Sequence, residues 1–182
     1  MKRVPAANCV LFCLLAASGA ALDLTTKWLA FTRVGQPQSK QELWRGVFSF
    51  TTSYNTGALW GLMASVPRAN LIFAALSVAA GVAILYWLFW HGAARDRMLT
   101  LALGFIMAGT IGNCYDRIVW RMVRDFLYFE LINWPIFNVA DSCLVCGAGI
   151  LMIHALFAEL PHGKSEPALT PVVQPTAEIQ ER

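Results

Sequence analysis

Nine polar groups stand out in an otherwise apolar chain: Asp23, Lys27, Asn55, Asn113, Asp116, Arg117, Asp125, Asn138 and Asp141. Asp141 is the costliest, because it lies within the apolar run "IFNVADSCLVCGAGILMIHALF" (136–157), where a charge among lipid chains is expensive. Asn138 and Asp141 are three residues apart and therefore share a helix face. Counted from Ile136, Asp141 is expected about 7 Å below the first residue of its helix, within reach of water through a cleft. A second carboxylate opposite it would share one proton with it, since two like charges that close cannot both ionise. One acid then activates a water and the other protonates a carbonyl oxygen, as in aspartic proteases. Two partners are open. Asp116, followed by Arg117 in "GNCYDR" at a helix end, is most cheaply a structural anion paired with Arg117 or Lys27. Asp125 has no neighbouring acid and leads into the aromatic stretch "FLYFELINW"; chemistry alone slightly favours it.

These groups need elements to position them, and composition says which kind. The 182-residue chain is 57% hydrophobic and 14% charged, against about 25% charged in soluble domains, so an integral membrane protein is indicated. A net charge of +3 is too small to suggest a nucleic-acid partner, and no such binding motif occurs. Apolar segments at 4–22, 69–90, 98–115 and 136–157 each approach the roughly 20 residues needed to cross a bilayer as a helix. The basic start and small residues near Ala20 also fit a cleaved signal peptide, but "LDLTTKWLAF" continues the apolar pattern, and an uncleaved span is expected. Asp23 and Lys27, four apart, share a face and can pair.

Between the first two spans, residues 28–68 read as a small sheet at the membrane surface. Trp44, Phe48, Phe50 and Tyr54 fall on one parity of an alternating pattern. "NTGALWGLMASVP" after it suggests a short surface helix. Arg117, Arg121 and Arg124 recur at helical spacing, and Arg121 and Arg124 read as a solvated or headgroup-facing stripe. Residues 1–160 form one membrane unit, and 161–182, polar and proline-rich, read as a disordered cytoplasmic tail. The fold class is thus an all-α membrane protein of four transmembrane helices with a small β-cradle. Raw counting of Lys and Arg favours termini outside, whereas Lys2-Arg3 and the short Arg95–Arg97 loop favour termini in the cytoplasm. Either way, all nine polar groups converge near one membrane face.

Other chemistries fare worse. The cysteines at 9, 13, 114, 143 and 146 lie in apolar segments, and Cys143-x-x-Cys146 lacks a second pair or a nearby His, so they read as packing. His91, His154 and His162 are scattered, and neither metal nor other cofactor is expected. Ser53, Ser142 and Lys27 make no convincing nucleophile–base pair. Gly104, Gly109, Gly112, Gly147 and Gly149 read as close helix contacts. The alternatives are an ion- or proton-coupled transporter or channel subunit, which wants charges through the membrane depth, and a scaffold, which leaves Asp141 unexplained.

Five stretches, "DLTTKW", "YNTGALWG", "GTIGNCYDR", "VRDF" and "FNVADS", occur in this order. They resemble the lipoprotein signal peptidases (signal peptidase II, prolipoprotein signal peptidase), over residues 8 to 158 approximately. The resemblance implies an intramembrane aspartic endopeptidase of the bacterial inner membrane. Its substrates would be diacylglyceryl-modified prolipoproteins, cut just before the lipidated cysteine, and its other partners membrane lipids; it would act as a monomer. It implies Asp125 and Asp141 as the catalytic pair. Asp23, Lys27, Asn55, Gly57, Asn113, Asp116, Arg117, Asn138 and Ala140 would support or bind substrate. It also implies cytoplasmic termini, a dyad at the periplasmic face and a periplasmic β-cradle. Two departures touch packing rather than charge: Tyr54, Leu59 and Trp60 in place of F-N-x-G-A-A-F, and Ala108-Gly109 in place of G-G.

Overall fold

The computed structural model describes residues 4–57 and 68–158. In chain order it contains α1 (Ala6–Arg33), β1 (Lys40–Trp44), β2 (Phe48–Asn55), α2 (Ala69–Phe89), α3 (Arg97–Val119), β3 (Val123–Phe129) and α4 (Val139–Ala158), with a 3-10 turn at Ala93–Arg95 before α3. All four α-helices are long and apolar enough to cross a membrane. The expected surface helix after Asn55 and the C-terminal tail lie outside the described residues.

α1 does not stop at residue 22. It continues to Arg33 as one 28-residue helix, about 42 Å long, so it outruns a ~30 Å hydrocarbon layer. Its buried residues, Phe12, Ala16, Ala20, Asp23, Lys27 and Ala30, follow one another at intervals of three or four and form a single inward stripe. The charges of Asp23 and Lys27 therefore belong to the packed face rather than to a span's end, and a boundary drawn at the first charge comes too early.

α3 lies centrally, packed against each of the other three helices. Its inner positions are small: Ala102, Gly104, Ala108, Gly109 and Gly112 are all buried. Without the hydrophobic effect to drive association inside a bilayer, close backbone approach and van der Waals packing hold helices together. A methyl group at Gly109 would strike the carbonyl oxygen of Ala140 and stand 2.7 Å from Leu144 Cγ, and one at Gly112 would strike the Asp23 carboxylate. Gly109→Ala is accordingly expected to destabilise the protein by about 1–3 kcal/mol through overpacking. The check is the thermal midpoint in detergent, and an unchanged midpoint would mean that α3 and α4 have room to part. Gly149, by contrast, faces open space and makes no such contact.

The sheet has the order β1-β2-β3, antiparallel throughout. The aromatic alternation expected as one strand is divided by a turn at Gly46 (φ +70°), leaving Trp44 on β1 and Phe48, Phe50 and Tyr54 on β2. The sheet also reaches beyond 28–68, because β3 comes from the connection between α3 and α4. β2 and β3 pair Ser53 with Asp125 and Asn55 with Val123. Phe137 then extends the array, donating to Leu127 O at 3.0 Å and accepting from Phe126 N at 3.0 Å and Leu127 N at 2.8 Å. Residues 136 and 137 are thus held as extended chain, and α4 starts at Val139 rather than Ile136.

Candidate active site

The N-terminus of α4 turns Asp141 from an anomaly into a cap. Asn138 Oδ1 accepts from Asp141 N at 2.9 Å, and Asp141 Oδ2 accepts from Asn138 N at 3.1 Å. This reciprocal pair is a capping box, with the acid at the third helical position. Asp141 therefore lies in the first turn, where the helix dipole favours a negative group, rather than at the depth counted from Ile136.

Asn138 does more than cap. Its Nδ2 donates to Asp125 Oδ1 at 2.6 Å and to Asn113 Oδ1 at 3.1 Å. Asn113 Nδ2 in turn donates to Asp141 Oδ1 at 2.8 Å. From the other side, Asn55 Nδ2 donates to Asp125 Oδ2 at 3.2 Å, while Asn55 Oδ1 accepts from Gly57 N at 3.0 Å. The asparagines at 55, 113 and 138 thus hold the two carboxylates in one network. Asp125 is 3% exposed and Asp141 half-buried. Both face a cleft of about 730 Å³ that Asn55, Asn113 and Arg117 also line. Burial, followed by the charge of Asp141, raises the Asp125 carboxyl from its ordinary value to about 7, against the lowering effect of the Asn138 and Asn55 hydrogen bonds and of Lys27.

Asp116 is elsewhere. It is fully buried, accepts from Arg124 N at 2.9 Å and Arg124 Nη2 at 2.7 Å, and lies 3.3 Å from Lys27 Nζ. Lys27, also fully buried, reaches Asp23 at 2.7 Å and Asn113 Oδ1 at 3.1 Å, so its ammonium has three oxygen partners. Asp23 Oδ1 accepts from Ala140 N at 2.8 Å, pinning α1 to the first turn of α4. Asp23, Lys27, Asp116 and Arg124 form a buried cluster with equal numbers of acids and bases. It is linked to the carboxylate pair through Asn113.

Arg124 corrects the reading of an arginine stripe. Only Arg121 is exposed; it sits with φ +62° in the turn after α3. Arg124 is 8% exposed, bound to Asp116 and stacked over Trp120 at 5.1 Å. Of the two partners expected for Asp116, Lys27 is present at 3.3 Å, and Arg124 stands in place of Arg117. In a strand, consecutive side chains point to opposite faces, so β3 sends Arg124 to the ion cluster and Asp125 to the cleft. Alternation in "VRDF" was the available signal, obscured by the helical spacing of the three arginines. Arg117 instead lies 5.4 Å from the Phe73 ring centroid and donates to Gly57 O at 3.4 Å and Asn113 O at 3.5 Å. Asn70 carried no sequence signal; its Nδ2 donates to Arg117 O at 2.8 Å, tying α2 to the last turns of α3.

The cleft continues from the carboxylates between α2 and α4. Phe73 and Leu76 form one wall, Leu144 and Val145 the other, and Gly109 the floor. The site thus joins a pair of acids to an apolar slot opening along the helices. Among the described residues no group of three or more His, Cys, Asp and Glu side chains is placed to hold a metal ion.

Known proteins resemble this chain in sequence and in fold. The family model for signal peptidase (SPase) II matches residues 15–157. The lipoprotein signal peptidase of Rhodopirellula baltica is 41% identical over 179 residues, covering 89% of this chain and 79% of that protein. That of Bacillus subtilis is 35% identical over 149 residues, covering 81% of this chain and 94% of its own. A solved bacterial membrane enzyme superposes with a TM-score of 0.74 at 25% identity, over 85% of this chain and 92% of that one.

Proposed function

Because this chain belongs to the signal peptidase II family, we propose that Asp125 and Asp141 are the dyad with which it cuts its substrate. The protein is a bacterial membrane aspartic protease that removes signal peptides from prolipoproteins, and not a transporter or channel subunit. The observation that carries the dyad is Asn138, whose side chain donates to Asp125 and whose backbone donates to Asp141.

Asp125 holds the shared proton, because burial favours its neutral form. With that proton on Asp125, Asp141 serves as the base. A water between them gives a proton to Asp141 as its oxygen attacks the scissile carbonyl carbon, and Asp125 gives its proton to the carbonyl oxygen. The tetrahedral diol then collapses: Asp141 returns its proton to the leaving amine, the C–N bond breaks, and Asp125 recovers a proton from the diol. The products are a signal peptide with a new carboxyl end and a lipoprotein with a free α-amino group.

The preferred substrate carries a diacylglyceryl cysteine just after the cut. Such a substrate is dissolved in the bilayer and arrives sideways, and a cleft open along the helices admits it with its acyl chains still in hydrocarbon. The enzyme sits as a monomer in the inner membrane. Its cytoplasmic end carries the start of α1 and the connection holding Arg95 and Arg97, and its dyad and sheet lie at the periplasmic face. Asn55, Gly57, Asn113, Arg117 and Asn138 hold the substrate backbone and the acids. Asp23, Lys27, Asp116 and Ala140 hold the helices that carry them. The test is a gel-shift assay of the purified full chain in detergent with a diacylglyceryl prolipoprotein. A cleaved product beginning at the lipidated cysteine is expected, and an intact substrate would overturn the reading.

A pH dependence follows. Asp125 must be protonated to act, so kcat is expected to fall as pH rises through about 7. Its folded value lies above the ordinary carboxylate value of 3.8, so its contribution to stability is fully present below about 4 and is lost as pH rises through about 7. The difference in thermal midpoint between Asp125→Asn and wild type should therefore shift in the mutant's favour from pH 4 to pH 8, approximately. A pH-independent difference would count against the buried acid.

A further inference from the structure

Most helical hydroxyls among the described residues bond back to their own helix. Ser18 reaches Leu14 O at 2.6 Å, Thr26 reaches Leu22 O at 2.7 Å and Thr100 reaches Asp96 O at 2.7 Å. Two hydroxyls on the cleft wall do likewise, Ser77 to Phe73 O at 2.9 Å and Ser142 to Asn138 O at 3.1 Å. Thr110 differs. It is only 9% exposed, it lines the cleft from α3, and its hydroxyl has no hydrogen-bond partner among the described residues. The hydroxyl is open to the cleft, and a ligand that covered it without pairing it would pay for its lost contact with water, so it calls for a partner brought by the ligand. Thr110 is three residues before Asn113 and so on the same face of α3, about 4.5 Å further from the dyad end of the helix.

The proposed substrate supplies what such a hydroxyl needs. A signal segment crossing the membrane as a helix ends with carbonyls that have no intrahelical donor. Presenting an extended scissile bond to the acids frees those carbonyls in a setting where an unpaired one is costly. We propose that the Thr110 hydroxyl donates a hydrogen bond to a substrate carbonyl just inside the scissile bond and is a substrate-positioning residue of this enzyme. The proposal rests on the peptidase reading above. The ester carbonyl of the diacylglyceryl group offers the same acceptor chemistry; the end of the signal segment is the closer match, since the slot leads from the dyad along the helices.

The test compares wild type, Thr110→Val and Thr110→Ser in detergent on a diacylglyceryl prolipoprotein. Val keeps the shape and loses the hydroxyl, and Ser keeps the hydroxyl and loses the methyl. Thr110→Val is expected to raise KM roughly tenfold with kcat little changed, the signature of a contact made equally in ground and transition states, and Thr110→Ser to restore most of the loss. A second substrate with ether-linked chains separates the two acceptors. A penalty that persists identifies a peptide carbonyl, and one that vanishes identifies the ester. Thr110→Val with wild-type KM, or Ser failing alongside Val, would overturn the proposal while leaving the peptidase function intact. A wild type that fails to cleave would remove both. Thermal midpoints of the variants guard against misfolding, and if Val does not fold Thr110→Ala takes its place: a raised KM restored by Ser supports the hydroxyl, and a wild-type KM overturns it.

Discussion

Asp141→Asn and Asp125→Asn are each expected to lower prolipoprotein cleavage by about three orders of magnitude or more, to background in a gel-shift assay, while the protein still inserts and folds. General acid–base groups contribute about 10²–10⁴-fold each, and in a dyad neither acid can substitute for the other. The fold should survive because both side chains are held by donors that an amide oxygen can still satisfy in part. At 141, the Asn oxygen can keep accepting from Asn138 N and preserve the capping box. The amide nitrogen then faces Asn113 Nδ2, where one bond is lost. At 125 one of the two donors, Asn55 or Asn138, loses its acceptor in the same way. Circular dichroism and a thermal melt in detergent distinguish a dead folded enzyme from an unfolded one. Turnover retained in either variant removes that residue from the dyad.

Lys27→Met is expected to have the largest effect on stability, about 3–5 kcal/mol, because it leaves two fully buried carboxylates without their common cation. Adding Asp23→Asn to that variant should recover part of the loss, since a neutral amide can still accept from Ala140 N. A thermal midpoint unchanged by Lys27→Met would show that the cluster is not held by charge. Asp116→Asn belongs to the same experiment. Its carboxylate anchors Arg124 at the start of β3, so it should mainly lower stability. If this variant were fully stable yet inactive, Asp116 rather than Asp125 would be the partner of Asp141. The two acids share the same membrane end, and only this contrast in variant behaviour separates a structural anion from a reacting one.

Much was legible because it is local. Four apolar runs of spanning length appear directly as α1 to α4. Asp23 and Lys27, four apart on one helix, had to share a face, and they form an ion pair at 2.7 Å. Asn138 and Asp141, three apart, had to meet at the start of α4, and they do so as a capping box. Chain connectivity then forced all nine polar groups to one membrane end, since hydrophobic length and helical period are properties of a segment by itself.

What the segments could not state is which group meets which. The separation of Asp116 from Asp125 depends on β3 pairing with β2 and on Phe137 joining Leu127, contacts between residues far apart in the chain. That pairing makes 123–129 a strand, and a strand sends neighbours to opposite faces; Arg124 therefore closes the ion cluster while Asp125 enters the cleft. The same array keeps residues 136 and 137 extended and moves the start of α4, so Asp141 becomes a first-turn residue. Residue order alone determined the helices and the acids they carry. The choice of partner for each acid required the folded backbone, because strand pairing is a long-range event and side-chain direction in a strand follows from it.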